Sequence, residues 1–210
     1  PEAAFAFLAC AARVGDASAL RLLLESGVPP DATTAAGWQP AHEAAMAGHR
    51  EVLELLLSRG ASPSAQEEDG RTPLHWAVLG GHMPTVELLL GAGAEVDARD
   101  RSFSPVQHGL AVAGDAELAA LLFDARADVA ATDSWQQTLL HSAVVEGHAD
   151  LAGVLLARGA PLDLPDFEGF TPLQRALLMA QVGHPGSETM LALLLEAAQG
   201  GAPPEEHGEP

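Results

Sequence analysis

The chain has 210 residues, enough for one or two compact domains, and 48% hydrophobic residues supply an ample core. Its net charge of −19 argues strongly against phosphate backbones and favours basic protein partners, or serves solubility. Cys10, the only cysteine, excludes an internal disulfide and suits a reducing, intracellular compartment, cytoplasmic or nuclear.

No apolar run approaches the length of a membrane span, and no signal peptide opens the chain. Lys, Asn, Ile and Tyr are absent, which points to a GC-rich gene; the sharper alternative is an adaptor that escapes ubiquitination because it offers no lysine.

One period organises the sequence. Gly15, Gly48, Gly81, Gly114 and Gly147 stand 33 residues apart; Gly27, Gly60, Gly93 and Gly159 follow a second lattice of 33, with Arg126 at its missing point; His42, His75, His108 and His141 mark a third. The spacing predicts six units, at about 1–32, 33–65, 66–98, 99–131, 132–164 and 165–199, followed by a disordered acidic Pro/Gly tail at 200–210.

Residues Pro1–Ala4 read as a cut edge. Phe7–Ala12 is then a first helix without its preceding turn, Leu20–Leu24 a second, and Phe5 and Phe7 are expected half-exposed because the usual polar capping face is missing. In the second unit Gln39 replaces a capping Thr before Pro40, which weakens the helix start.

The third unit shows the physics most plainly. Thr72 can cap a helix that Pro73 opens, Gly80-Gly81 ends it, Pro84 opens a second helix with Val86, Leu89 and Leu90 at helical spacing, and Gly93 takes the left-handed stop. Such a unit has two apolar faces and cannot bury both alone, so copies must stack in a solenoid.

In the fourth unit Ser104-Pro105 precedes one extra residue before Gly114, and Arg126 replaces the capping glycine, so irregularity and a weak cap are expected. The fifth has Leu139 for the opening proline and Gln136 for the turn glycine. The sixth carries an insertion of about six residues, with Gly183–Ser187 as its loop and Ser187 capping a helix over Glu188–Ala198.

Thr72-Pro73-Leu74-His75, Gly81-His82, Leu88-Leu89-Leu90 and Gly93-Ala94 resemble the ankyrin repeat, and the resemblance covers roughly Phe5 to Ala198. It implies an all-α solenoid of helix-turn-helix units with short β-hairpin-like turn tips. It also implies that the motif histidines are scaffold groups bonding to turns, and that partners bind along the tips and the exposed row of first helices, which together make a concave strip.

No phosphate-cradling loop, metal-ligand spacing or nucleophile motif appears. Glu67-Glu68-Asp69 and the pair Asp97/Asp100 lie at turn tips and are expected solvated, so neither acid–base chemistry nor any enzymatic activity is expected, and no cofactor or metal. Binding remains. The tips carry Trp38, Glu68, Arg71, Phe103, Trp135, Gln137, Glu168, Phe167 and Phe170, and the first-helix row carries Met46, Trp76, Leu79, Val145 and Glu146. Five of the nine aromatic residues are on tips, where exposure is costly unless used.

The expected function is therefore non-catalytic recognition, as scaffold, adaptor or inhibitor. The partner is a protein or peptide with basic flanks and apolar anchors, not nucleic acid or membrane, and it meets a monomer along an aromatic ridge through Trp38, Phe103, Trp135 and Phe170. Two other readings stand beside it. Trp38 and Trp76 resemble the methyl-lysine cage in ankyrin domains of certain histone methyltransferases, although Glu43 replaces one wall. The missing lysines suit a substrate adaptor of a ubiquitin ligase.

Overall fold

The computed structural model describes residues 2–200, with side chains from Ala4 onward. The expected tail at 201–210 lies outside the described residues. The chain divides into two compact units, Pro1–Asp128 and Val129–Pro210, described separately below.

The first unit opens with α1 (Glu2–Val14) and α2 (Ala17–Glu25), so the first helix begins earlier than the apolar run suggests. Then come α3 (Pro40–Met46), α4 (Arg50–Ser58), α5 (Pro73–Leu79) and α6 (Met83–Gly91). First helices stack on first helices, α1 on α3 and α3 on α5, while α2, α4 and α6 form a second row. Leu8, Leu20, Leu53, Leu56, Leu74 and Leu89 are fully buried between the rows. Phe5 is half-buried, but Phe7 is 67% exposed.

The fourth repeat bears out the expected irregularity. Pro105 fills the slot where other repeats place a capping Thr or Gln, and a 3-10 turn, Val106–Gly109, replaces the helix start before a four-residue α7 (Leu110–Ala113). Helix α8 (Ala116–Asp124) follows, and Arg126 takes φ 71°, the left-handed conformation expected there.

The second unit holds α9 (Leu139–Glu146), α10 (Ala149–Ala157), α11 (Pro172–Gln181) and α12 (Ser187–Gly200). Helix α9 packs on α11 and α10 on α12, with Leu139, Leu140, Leu151, Leu155 and Leu194 in the core. The insertion lengthens α11 and supplies the loop before α12. Ser187 is the first residue of α12 and is buried, not the cap in front of it.

Two of the four motif histidines, His42 and His141, join the repeats as the resemblance implied. His42 Nδ1 accepts from the Gln39 N–H at 3.1 Å, which leaves the proton on Nε2 to reach the Ala65 and Arg71 carbonyls at 3.0 and 3.2 Å. Gln39 itself adds no cap, since its Oε1 is buried without a partner. His141 makes the equivalent bonds to Thr138 and to the Phe170 carbonyl. Burial pushes His42, His75 and His141 down, His75 to about 4, so all three are neutral donors at pH 7.

The Gly-His pair works differently. His82 Nε2 lies 3.0 Å from the Met46 carbonyl, and its ring fills the space where a Cβ on Gly48 would stand, 2.6 Å from Nδ1. Only glycine leaves that room.

Candidate partner-binding surface

Each turn tip is a small hairpin built by one rule. The residues at 34, 67, 100, 133 and 166 donate their N–H to the carbonyl four positions on, at 2.9–3.1 Å, and the residue three positions on donates back at 2.8–3.1 Å. That fourth residue, Gly37, Gly70, Phe103, Gln136 or Gly169, has φ between 56° and 84°, the left-handed end of a three-residue hairpin loop.

A side-chain oxygen holds each turn. Glu67 accepts from the Asp69 and Arg71 amides, Asp100 from Ser102 and Ser104, Asp133 from Trp135 and Gln137, and Asp166 from Glu168 and Phe170, all at 2.8–3.0 Å. Thr34 holds the first tip with a single bond to the Trp38 amide.

This corrects the expectation of solvated tip carboxylates. Glu67 and Asp166 are 6% and 2% exposed, and the Asp100 side chain 7%. They are turn staples, with no vacant coordination for chemistry. Burial alone pushes Asp166 up, but the Phe170 amide and the Arg175 guanidinium, 2.7 Å away through Nε, together hold it below the usual carboxylate range. Among the described residues no group of three or more His, Cys, Asp and Glu is arranged to hold a metal ion, and no helix is long and apolar enough to cross a membrane.

Within each unit, neighbouring tips are tied edge to edge. The Glu68 N–H donates to the Ala36 carbonyl, Arg101 to Asp69, and Phe167 to Trp135, at 2.7–3.0 Å. Isolated antiparallel bridges at Arg99–Pro105 and Thr132–Thr138 add to the hairpin character of these otherwise helical units.

The tip residues fall into two classes by position. Those one to three places past the staple stand out: Glu68, Phe103 (66% exposed), Trp135 (57%) and Phe167 (54%). Those four places past it, Trp38, Arg71, Gln137 and Phe170, are half-buried because the chain is already turning into the helix.

The single aromatic ridge through Trp38, Phe103, Trp135 and Phe170 therefore needs correction. Phe170 lies under Arg175, whose guanidinium is 4.7 Å from the ring centre, while Phe167 stands free beside Trp135 with ring centres 5.0 Å apart. Arg175 also pairs with Glu168. On the first-helix row Met46, Leu79 and Glu146 are exposed, and Trp76 and Val145 half-buried.

Trp38 and Trp76 do come together, but on each other. Their centroids are 5.0 Å apart at 40°, His42 lies 5.7 Å from Trp38, and Arg71 sits over Trp76 at 5.1 Å. A methylated ammonium held between two ring faces needs them about 7–8 Å apart, twice a carbon–carbon contact. The pair leaves no such slot, and Arg71 already uses one face. Glu43, the missing wall, is half-buried, and its carboxyl is pushed up by desolvation, partly countered by Arg13.

The sequence reading placed turn glycines at Gly70 and, replaced, at Gln136, but it missed the carboxylate staples and Phe103 as a left-handed position. The signal was present as two further lattices of 33, Glu67/Asp100/Asp133/Asp166 and Gly37/Gly70/Phe103/Gln136/Gly169.

An ankyrin repeat domain from Acinetobacter baumannii AYE matches this fold with TM-score 0.81 at 24% identity, over 91% of this chain and 97% of that one. No curated protein matches the chain. The family model for ankyrin repeats, which spans three copies, matches twice, at residues 8–100 and 108–203. With that match over most of its length, the chain belongs to the ankyrin-repeat family.

Proposed function

We propose that the chain is a non-catalytic protein-recognition module, a scaffold, adaptor or inhibitor, whose anchors are the exposed rings of the turn tips. Ankyrin repeats in general are protein–protein interaction modules. The observation that carries the reading is Trp135 against Phe167: two large rings on adjacent tips, both more than half exposed, on turns that do not need them. Aromatic anchors of this kind dominate binding energy when a partner desolvates them.

Phe103 supports the same reading. It is 66% exposed and holds φ 58°, a conformation that costs a non-glycine residue roughly 1 kcal/mol. Its backbone closes the turn, while its solvated ring adds no burial to the fold.

The partner that fits is a peptide or domain with apolar anchors and basic flanks, meeting a monomer of net charge −19. Met46 and Leu79 extend the apolar surface of the first unit, and Glu68, Asp69 and Glu146 supply acid around the rings. An intracellular location, cytoplasmic or nuclear, suits the lone exposed Cys10. No observation favours the methyl-lysine or ubiquitin-ligase readings.

The test is a pulldown or display-selected peptide measured against Trp135→Ala and Phe167→Ala. Binding weakened tens-fold with an unchanged melting temperature supports the reading. Undiminished binding moves the partner elsewhere.

A further inference from the structure

Each repeat has a leading face, turned to the repeat before it, and a trailing face, turned to the repeat after it. Burial along the lattice of 33 tells them apart. Phe7 is exposed, whereas Pro40, Pro73, Val106 and Pro172, at the same place in repeats two, three, four and six, are buried. Leu23 is half-buried, whereas Leu56, Leu89, Leu122 and Leu194 are fully buried. Burial lost in repeat one but kept in repeat six marks a leading position.

The reverse holds in repeat six. Counted with an insertion of six residues, Met190 and Leu194 take the places of Leu151 and Leu155. Leu191 is then half-buried where Leu20, Leu53, Val86 and Ala152 are fully buried. Leu177 is 43% exposed where Ala12, Ala45, Val78 and Val144 are at most 2% exposed. The inserted loop leaves this trailing face open because it folds back on repeat five, with the Pro185 carbonyl 3.3 Å from where a Cβ on Gly147 would stand.

Both uncovered faces are apolar. Phe7, Cys10, Val14, Leu22 and Leu23 wall a groove of about 410 Å³ between α1 and α2. What covers such a groove elsewhere in the chain is the trailing face of another repeat. Gly109 shows the contact: a Cβ on it would stand 3.2 Å from Val78 of the preceding repeat. Cys10 holds the Gly109 position in repeat one, and Leu177 the Val78 position in repeat six.

Charge selects the partner. In the first unit Arg50 on α4 pairs with Glu87 on α6 at 3.5 Å, and its Nη1 donates to the Pro84 carbonyl at 2.9 Å. The Glu87 position is Arg21 in repeat one, and the Arg50 position is Glu188 in repeat six; both are exposed. The same ion pair is therefore present with its signs exchanged, one half on each uncovered face. A symmetric contact between two leading faces would instead bring two Arg21 side chains into one interface and leave Glu188 unused.

We propose that the trailing face of repeat six in one copy covers the leading face of repeat one in a second copy, with Glu188 beside Arg21 and Leu177 beside Cys10, so that the repeat stack continues from chain to chain. Such a head-to-tail contact leaves one face of each kind open, so copies add in series. The net charge of −19 opposes it at a distance. The dilute chain is thus the monomer that meets its partner, and concentration adds the array. Arrayed copies present several sets of tip rings at once, which gives avidity for a repetitive partner.

The test is sedimentation velocity of the full chain from about 1 μM to about 1 mM, in salt of about 0.15 M, where charges are screened within about 8 Å. The average mass is expected to rise with concentration past that of a dimer. Phe7→Asp and Leu177→Asp, both at exposed positions, are each expected to move association at least about tenfold higher in concentration with the melting temperature nearly unchanged. Their mixture is expected to form a dimer and stop there, since it holds one intact leading face and one intact trailing face. Arg21→Glu and Glu188→Arg should each weaken association about three- to fivefold, and their combination in one chain should restore it.

A chain that stays monomeric at the highest concentration overturns the proposal, whatever else covers the two faces. Association that survives Leu177→Asp but not Phe7→Asp is a symmetric pairing of leading faces and overturns it as well. If either aspartate variant fails to fold, the charge series decides alone, and a double swap no better than the single ones overturns the contact. Trp135→Ala is expected to leave association unchanged, so the array and the tip anchors can fail separately.

Discussion

Two aromatic pairs in this molecule share a centroid distance of 5.0 Å and do different work. Trp38 and Trp76 are half-buried, with His42 on one side and Arg71 on the other. Among the described residues no cation lies over Trp135 or Phe167, and more than half of each is exposed. Ring contact by itself says nothing about role; what covers the rings decides whether they stiffen the stack or remain available to a partner.

Acid should break the covered pair first. His75 is held down to about 4 by burial, against about 6.5 when unfolded. The unfolded chain then binds the proton that the folded chain refuses, so the stability contribution is complete above pH 6.5 and is lost as pH falls toward 4, about 3 kcal/mol in all. His42 and His141 shift the same way and add to the loss. Urea midpoints between pH 7 and 4 should drop, and His75→Gln should flatten the slope; a pH-independent midpoint contradicts the buried neutral imidazoles.

Truncation sharpens the contrast. Trp76→Ala should cost about 2–3 kcal/mol, somewhat under the range for a fully buried Trp, while Trp135→Ala should stay within about 0.5 kcal/mol. Comparable losses at both would make the exposed rings stiffeners too. In partner binding the order reverses: Trp135→Ala or Phe167→Ala should each cost about 2 kcal/mol, whereas charge reversal at Glu68 should mainly slow association and reduce salt sensitivity. Glu168 is the poorer choice for that experiment because Arg175 holds it.

The smallest expected effects lie in backbone strain. Arg126→Gly should stabilise by up to about 1 kcal/mol, and Phe103→Gly by a similar amount while removing an anchor. Thermal melts of both, with binding measured on the second, separate strain from recognition. Amide exchange should also show repeat four opening before repeats two and three, because its helix start is a 3-10 turn.

The period of 33 made the fold legible, since a repeat that cannot bury both faces has to stack, and the same lattice located Arg126 as a left-handed non-glycine residue. The tip chemistry was harder to read. Phe167 and Phe170 lie in one turn three residues apart, yet one is free and the other lies under Arg175. The difference is the point at which the hairpin turns back, and composition carries no mark of it. Likewise Glu67 and Asp166 look like surface acids until the amides they accept are known. The open leading face of repeat one was legible in its missing polar cap, whereas Leu177 holds a core position of the repeat and reads as buried, although it is 43% exposed.

Because one staple and a run of backbone bonds close each tip, the side chains of the three residues after the staple are structurally dispensable, apart from Glu168, which pairs with Arg175. Glu68-Asp69-Gly70, Arg101-Ser102-Phe103, Ser134-Trp135-Gln136 and Phe167-Glu168-Gly169 therefore behave as interchangeable cassettes, provided the third residue tolerates a left-handed backbone. Swapping one triplet for another should retarget the molecule without redesigning it, and drift at these twelve positions should proceed far faster than in the helices that carry them.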